Sequence, residues 1–91
     1  MNEVVQEINY KRDRQVNLII RIAKYKFGWG RKALFEFCLK HVEGLEKRMP
    51  EEALKNYSTT RLFAGMSRAE KSHIIQVLEK IERRNIENAE R

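Results

Sequence analysis

Hydrophobic residues recur in this chain at intervals of three and four almost from end to end, and that period constrains the fold more than any other feature. Val16, Ile19, Ile20, Ala23 and Phe27 form the first strong series. At the period of an α-helix these positions share one face, so the segment predicts an amphipathic helix with a buried stripe. Leu18 and Ile22 widen the stripe, which predicts a helix covered on more than one side. Upstream, Val4, Val5 and Ile8 either extend this helix or belong to a separate arm over residues 1–12; the sequence leaves both open. Gly28-Trp29-Gly30 then breaks the period, because closely spaced glycines favour a turn with positive φ.

A second helix is expected from about Arg31, burying Leu34, Phe35, Cys38, Val42 and Leu45, with Gly44 ending or weakening it. Pro50 is the sole proline and precedes Glu51 and Glu52. Proline suits a helix start and acids favour its positive end, so a short third helix is expected through about Asn56. Ser58-Thr59-Thr60 caps one further turn carrying Leu62 and Phe63, closed by Gly65. Ser67-Arg68-Ala69-Glu70 fits a capping box: the serine hydroxyl accepts from the third helical amide, and the glutamate reaches back to the serine amide. Ile74, Ile75, Leu78 and Ile81 then line one stripe, while residues 85–91 offer little to bury and predict a frayed tail. No segment alternates like a strand, and a chain of 91 residues buries about 60–65% of its unfolded surface in one core. The expectation is a single all-α domain over residues 1–91, a compact bundle of four to five helices with short turns.

Charge is distributed unevenly on this scaffold. From Tyr10 to Lys32 eight basic residues (Lys11, Arg12, Arg14, Arg21, Lys24, Lys26, Arg31 and Lys32) face the single acid Asp13, a local charge of +7 against +6 for the whole chain. Tyr10, Tyr25, Phe27 and Trp29 are interleaved with them. Cations beside flat rings suit a polyanion with stackable bases, because phosphates meet Lys and Arg while a ring takes a base. The plainer alternative is a solvated basic face with core aromatics behind it. The candidate nucleic-acid-binding set is therefore Lys11, Arg14, Arg21, Lys24, Tyr25, Lys26, Trp29, Arg31 and Lys32. Trp29 itself is either folded onto the core or an exposed stacking platform, with core the commoner fate of tryptophan.

The helix–Gly-Trp-Gly–helix unit invites comparison with a helix-turn-helix, whose second helix enters the major groove. Ala33 to Leu39 is nearly all apolar apart from Glu36, however, leaving few groups to read bases, and Ala23 to Gly28 is one residue too long for the motif's usual spacing. Cys38 and His41 have helical spacing for a metal pair, but no Cys/His set completes a site, so no metal or other cofactor is expected. Serines 58, 67 and 72 sit in no nucleophile-elbow pattern and no glycine-rich phosphate loop follows a strand, so the chain does not read as an enzyme. A lone cysteine excludes an intrachain disulfide and fits a reducing, cytoplasmic setting. No apolar run reaches the roughly 18–20 residues of a membrane span.

Two segments resemble a phage module. Asn17-Leu18-Ile19-Ile20-Arg21-Ile22-Ala23-Lys24-Tyr25-Lys26-Phe27-Gly28-Trp29 is similar to the "I-H-I-A-K-x-x-L-G-hydrophobic" opening of the GemA-type phage regulatory family. Leu62-Phe63-Ala64-Gly65-Met66-Ser67-Arg68-Ala69-Glu70, followed by Ile74-Ile75-Gln76-Val77-Leu78, resembles that family's "S-x-x-x-L-(S/T)-x-x-E" close. The chain departs from the pattern in its basic start at Arg31-Lys32 and in a longer link from Glu43 to Arg61. The resemblance implies a small regulatory or accessory protein of a phage or mobile element that modulates DNA transactions or transcription. Residues and resemblance together lead to one expectation: a basic nucleic-acid-binding protein, with DNA favoured over RNA. The alternative is a helical protein–protein adaptor or small subunit of a nucleoprotein assembly. A homodimer stays open, and docking on an anionic membrane surface is a weaker third reading.

Overall fold

The computed structural model describes residues 13–90, with side chains to residue 87. Five α-helices and no strand occur among the described residues: α1 Arg14–Arg21, α2 Arg31–His41, α3 Glu51–Lys55, α4 Thr59–Ala64 and α5 Arg68–Glu90. A π-wound segment, Ile22–Lys26, continues α1, and a single 3-10 turn, Glu46–Arg48, follows α2. The all-α bundle expected from the apolar period is what forms. The arm or helix extension over residues 1–12, and Lys11 with it, lies outside the described residues.

Sequence chemistry starts and stops each element. Asp13 caps α1, its side chain accepting from the amides of Gln15 and Val16. Gly28 ends the π segment at φ +69° and donates its N–H to the Lys24 carbonyl at 3.1 Å. The next amide, that of Trp29, reaches back to Ala23 at 2.9 Å, a wider loop than an ordinary helix end makes, as the π winding requires. Pro50 stands at the N-cap of α3, with Glu51 and Glu52 in the first turn. Ser58 caps α4 through its hydroxyl. The capping box of α5 is complete: the Ser67 amide donates to Glu70 Oε1 at 2.9 Å, and the Glu70 amide donates to Ser67 Oγ at 3.1 Å.

Three details differ from the sequence reading. α2 stops at His41, and Val42 and Leu45 reach the core from the turn beyond it, because Val42 is extended and Gly44 takes φ +78°. Leu18 faces outward at 39% exposure, so α1 is covered on one side only. The frayed tail expected over residues 85–91 is helical through Glu90. That stretch contains no glycine or proline, and Glu87, Ala89 and Glu90 favour a helix that the preceding turns have already nucleated.

The core is apolar throughout. Ile19, Phe35, Cys38, Leu45, Leu62, Ile74 and Leu78 are almost fully buried, and no polar or charged residue is buried among those described. α1 and its π extension pack on α5, and α2 packs on α4. Contacts near both ends fix the direction of the first pair. Asp13 meets Lys71 at 2.6 Å and Gln15 Nε2 donates to the Arg68 carbonyl at 3.1 Å, while Lys26 meets Glu82 at 3.6 Å farther along. α1 and α5 therefore run side by side in the same direction, and α2 to α4 form the return connection. That arrangement leaves the outer face of α1 and the first turn of α2 in solvent.

Candidate nucleic-acid interface

The single acid of the basic stretch is engaged elsewhere. Asp13 caps its own helix and takes Lys71 Nζ in a partly buried pair. Burial pushes its carboxyl upward, but Lys71 and the amides of Val16 and Gln15 outweigh that and hold it below the ordinary carboxylate range. Asp13 thus gives the neighbouring cations no partner. Arg14, Arg21, Lys24, Arg31 and Lys32 are all exposed, and none forms an ion pair among the described residues. Three cations elsewhere are matched: Arg48 with Glu70 at 2.7 Å, Lys71 with Asp13, and Lys55 with Glu51 at 4.0 Å. Lys40, Lys47, Arg61, Arg68, Lys80, Arg83 and Arg84 are, like the candidate set, without an ion pair among the described residues, but outside the Tyr10 to Lys32 stretch acids are interspersed with them. Lys26 is the exception within the candidate set, since it shares its charge with Glu82.

Arg14, Leu18 and Arg21 follow one another at helical spacing along the outer face of α1, and all three are exposed. The π segment then carries Lys24 and Tyr25 outward. Tyr25 is 75% exposed, and Lys24 Nζ stands 5.6 Å from the centre of its ring. A bare tyrosine beside an unpaired lysine on a π turn is an uncommon surface, and such turns are frequent at functional sites.

The start of α2 breaks the usual rules of helix chemistry. Its N-cap is Gly30, which offers no side-chain acceptor, and its first turn holds no acid. Arg31 and Lys32 occupy that turn instead, against the positive end of the helix dipole. Each such cation costs about 0.3–1 kcal/mol where an anion would gain the same. An incoming phosphate would relieve the conflict through both the side chains and the first-turn amides. Lys32 also lies 5.4 Å from the ring centre of Tyr57, which packs edge-on against Phe35.

Trp29 is neither core nor open platform. It is half-buried, stacked on Phe27 with ring centres 5.0 Å apart and tilted against Phe37 at 5.0 Å; Phe37 in turn meets His41 at 4.3 Å. Beside it lies a cleft of about 310 Å³, walled by Ile20, Ala23, Trp29 and Leu34, with exposed Lys24 and Arg31 on its border. The sequence reading did not find this cleft. Its walls come from α1, the π segment, the glycine turn and α2, and no local pattern shows that they converge.

The outward residues of α2 are Arg31, Lys32, Ala33, Glu36 and Lys40. Cys38 is fully buried, and burial pushes its thiol up to about 12, so it is a packing residue in the folded state. Among the described residues no group of His, Cys, Asp and Glu is placed to hold a metal ion, and no helix is long and apolar enough to cross a membrane. Comparison of the chain with protein-family models, with curated proteins and with solved structures finds no match, so the geometry must carry the functional argument.

Proposed function

We propose that this chain is a small nucleic-acid-binding accessory or regulatory protein, of the phage or mobile-element kind that its resemblance to GemA-type regulators suggests. The observation that carries the reading is the concentration of unmatched charge: Arg14, Arg21, Lys24, Arg31 and Lys32 are exposed without ion pairs among the described residues, while Asp13, the single acid of their stretch, is engaged with Lys71. Phosphates would supply the missing counter-charge, and Tyr25 would add a stacking surface. Binding of this kind is mainly electrostatic and only weakly sequence-specific, with DNA the favoured ligand on the strength of the resemblance. Lys26, tied to Glu82, contributes less.

Fluorescence anisotropy of labelled duplex DNA, single-stranded DNA and RNA at several salt concentrations tests this directly. Contacts from five cations would give a log–log salt slope near −4.5 on duplex and −3.5 on single strands, to within about one contact. Replacing Arg21 and Lys24 together with glutamine should weaken binding while leaving the helical signal intact. Absence of binding at low salt would transfer this face to an acidic protein partner, the adaptor role that the sequence also allows.

A further inference from the structure

Among the described residues two grooves flank Arg31, and the smaller of the two suits an anion that carries a flat ring. The larger, of about 470 Å³, is lined by Arg61 but also by Glu52, so it offers a strand little net attraction. The smaller cleft of about 310 Å³ combines an apolar interior, the Trp29 ring and two cations, with no acid in its lining. A site that only tracked phosphates would have no use for apolar walls. We propose that this cleft seats one unpaired nucleobase of a single-stranded nucleic acid, with Lys24 and Arg31 on the adjoining phosphates.

The proposal rests on the nucleic-acid reading above and narrows it to single strands. The cleft volume lies at the small end of the roughly 300–1,000 Å³ typical of ligand sites, which suits one nucleotide rather than a helix. Ala23 and Leu34 are buried and Ile20 half-buried, so the interior is a dry wall on which a base face loses water. In a duplex the bases are paired and stacked and cannot enter such a cleft, whereas an unpaired base can be turned out and stacked on an aromatic ring. Lys24 serves both surfaces, since it borders the cleft and also lies over the Tyr25 ring. A following base then has Tyr25 to stack on.

Trp29 is the only tryptophan, so its emission reports on the cleft without a label. The probes are a short oligothymidylate and an abasic strand of the same length, each followed by anisotropy and by Trp29 fluorescence. Both strands should bind at low salt, but only the intact one should quench Trp29, and it should bind about tenfold more tightly, within the range that loss of one stacked base produces. If both bind with equal affinity and neither quenches, the cleft takes no base while the phosphate face stands. If neither binds, the phosphate reading falls and this one with it.

Replacing Trp29 would disturb its packing on Phe27 and Phe37, so a second variant fills the cleft instead. Gly30 lines it in an extended conformation (φ −84°, ψ −176°), and a Cβ there meets no atom within 4 Å. Gly30→Leu should melt like the parent and lose the preference for the intact strand. A folded Gly30→Leu protein that still prefers it would overturn the assignment.

Discussion

Glu70→Gln is the sharpest test of how the bundle is held together. The Glu70 carboxylate accepts from Arg48 Nη1 at 2.7 Å and from the Ser67 amide at 2.9 Å, and the same Arg48 nitrogen donates to the Gly65 carbonyl at 3.1 Å. One acid therefore joins the 3-10 turn, the end of α4 and the start of α5. Arg48 first, and the Ser67 amide after it, lower its carboxyl from 4.5 to about 2. Taken whole, that lowering is worth about 3 kcal/mol. The side chain is 24% exposed and its partner 43%, so solvent screening reduces the contribution to about 1–2 kcal/mol. Glutamine keeps an acceptor for the Ser67 amide, so the substitution removes the charge and little else.

The folded state holds this group below its unfolded value, so its contribution is fully present above about pH 4.5 and is lost as pH falls toward about 2. Glu70→Gln should lower Tm by roughly 5–15 °C at neutral pH in a domain of this size. The gap between variant and parent, followed by circular dichroism, should close as pH falls through that window. A gap that persists unchanged to pH 2, or none at pH 7, would refute the assignment of this carboxylate as a charged tie.

Other consequences are read in simpler assays. Gly28→Ala forces a side chain into φ +69° and should cost about 1–2 kcal/mol in urea unfolding, although nothing lies near its Cβ. Leu78→Ala, in the fully buried stripe of α5, should cost about 2–5 kcal/mol by the same measurement. Cys38 should resist a thiol reagent at neutral pH until the chain unfolds; rapid native-state labelling would contradict its burial. Arg31→Glu should raise stability by about 0.5–2 kcal/mol by satisfying the helix dipole, and at the same time weaken nucleic-acid binding; a variant less stable than the parent would show that Arg31 is there for the fold.

Much of the scaffold was legible because local chemistry and tertiary structure agree. The capping box at Ser67, the proline before Glu51 and the glycine turn after Phe27 mark boundaries that the folded chain uses. The outward set Arg14, Arg21, Lys24, Tyr25, Arg31 and Lys32 was legible for the same reason, since positions off the apolar stripe face water. What escaped depends on distant partners. Nothing near Asp13 in sequence announces Lys71, and nothing near Arg48 announces Glu70. Leu18 reads as core by type and is exposed by register. The π winding of Ile22–Lys26 shifts every later side chain around the helix, and it has no sequence signature that the apolar period could reveal.

The central claim is that unmatched cations on α1, the π segment and α2 contact phosphates. Its most direct test is the salt dependence of DNA binding measured for Arg14→Gln, Arg21→Gln and Lys24→Gln singly, with Lys55→Gln, whose lysine already pairs with Glu51, as the comparison. Each of the first three should reduce the magnitude of the log–log slope by about one, and Lys55→Gln should leave it where it was. Equal slopes for all four variants and the parent would contradict the account.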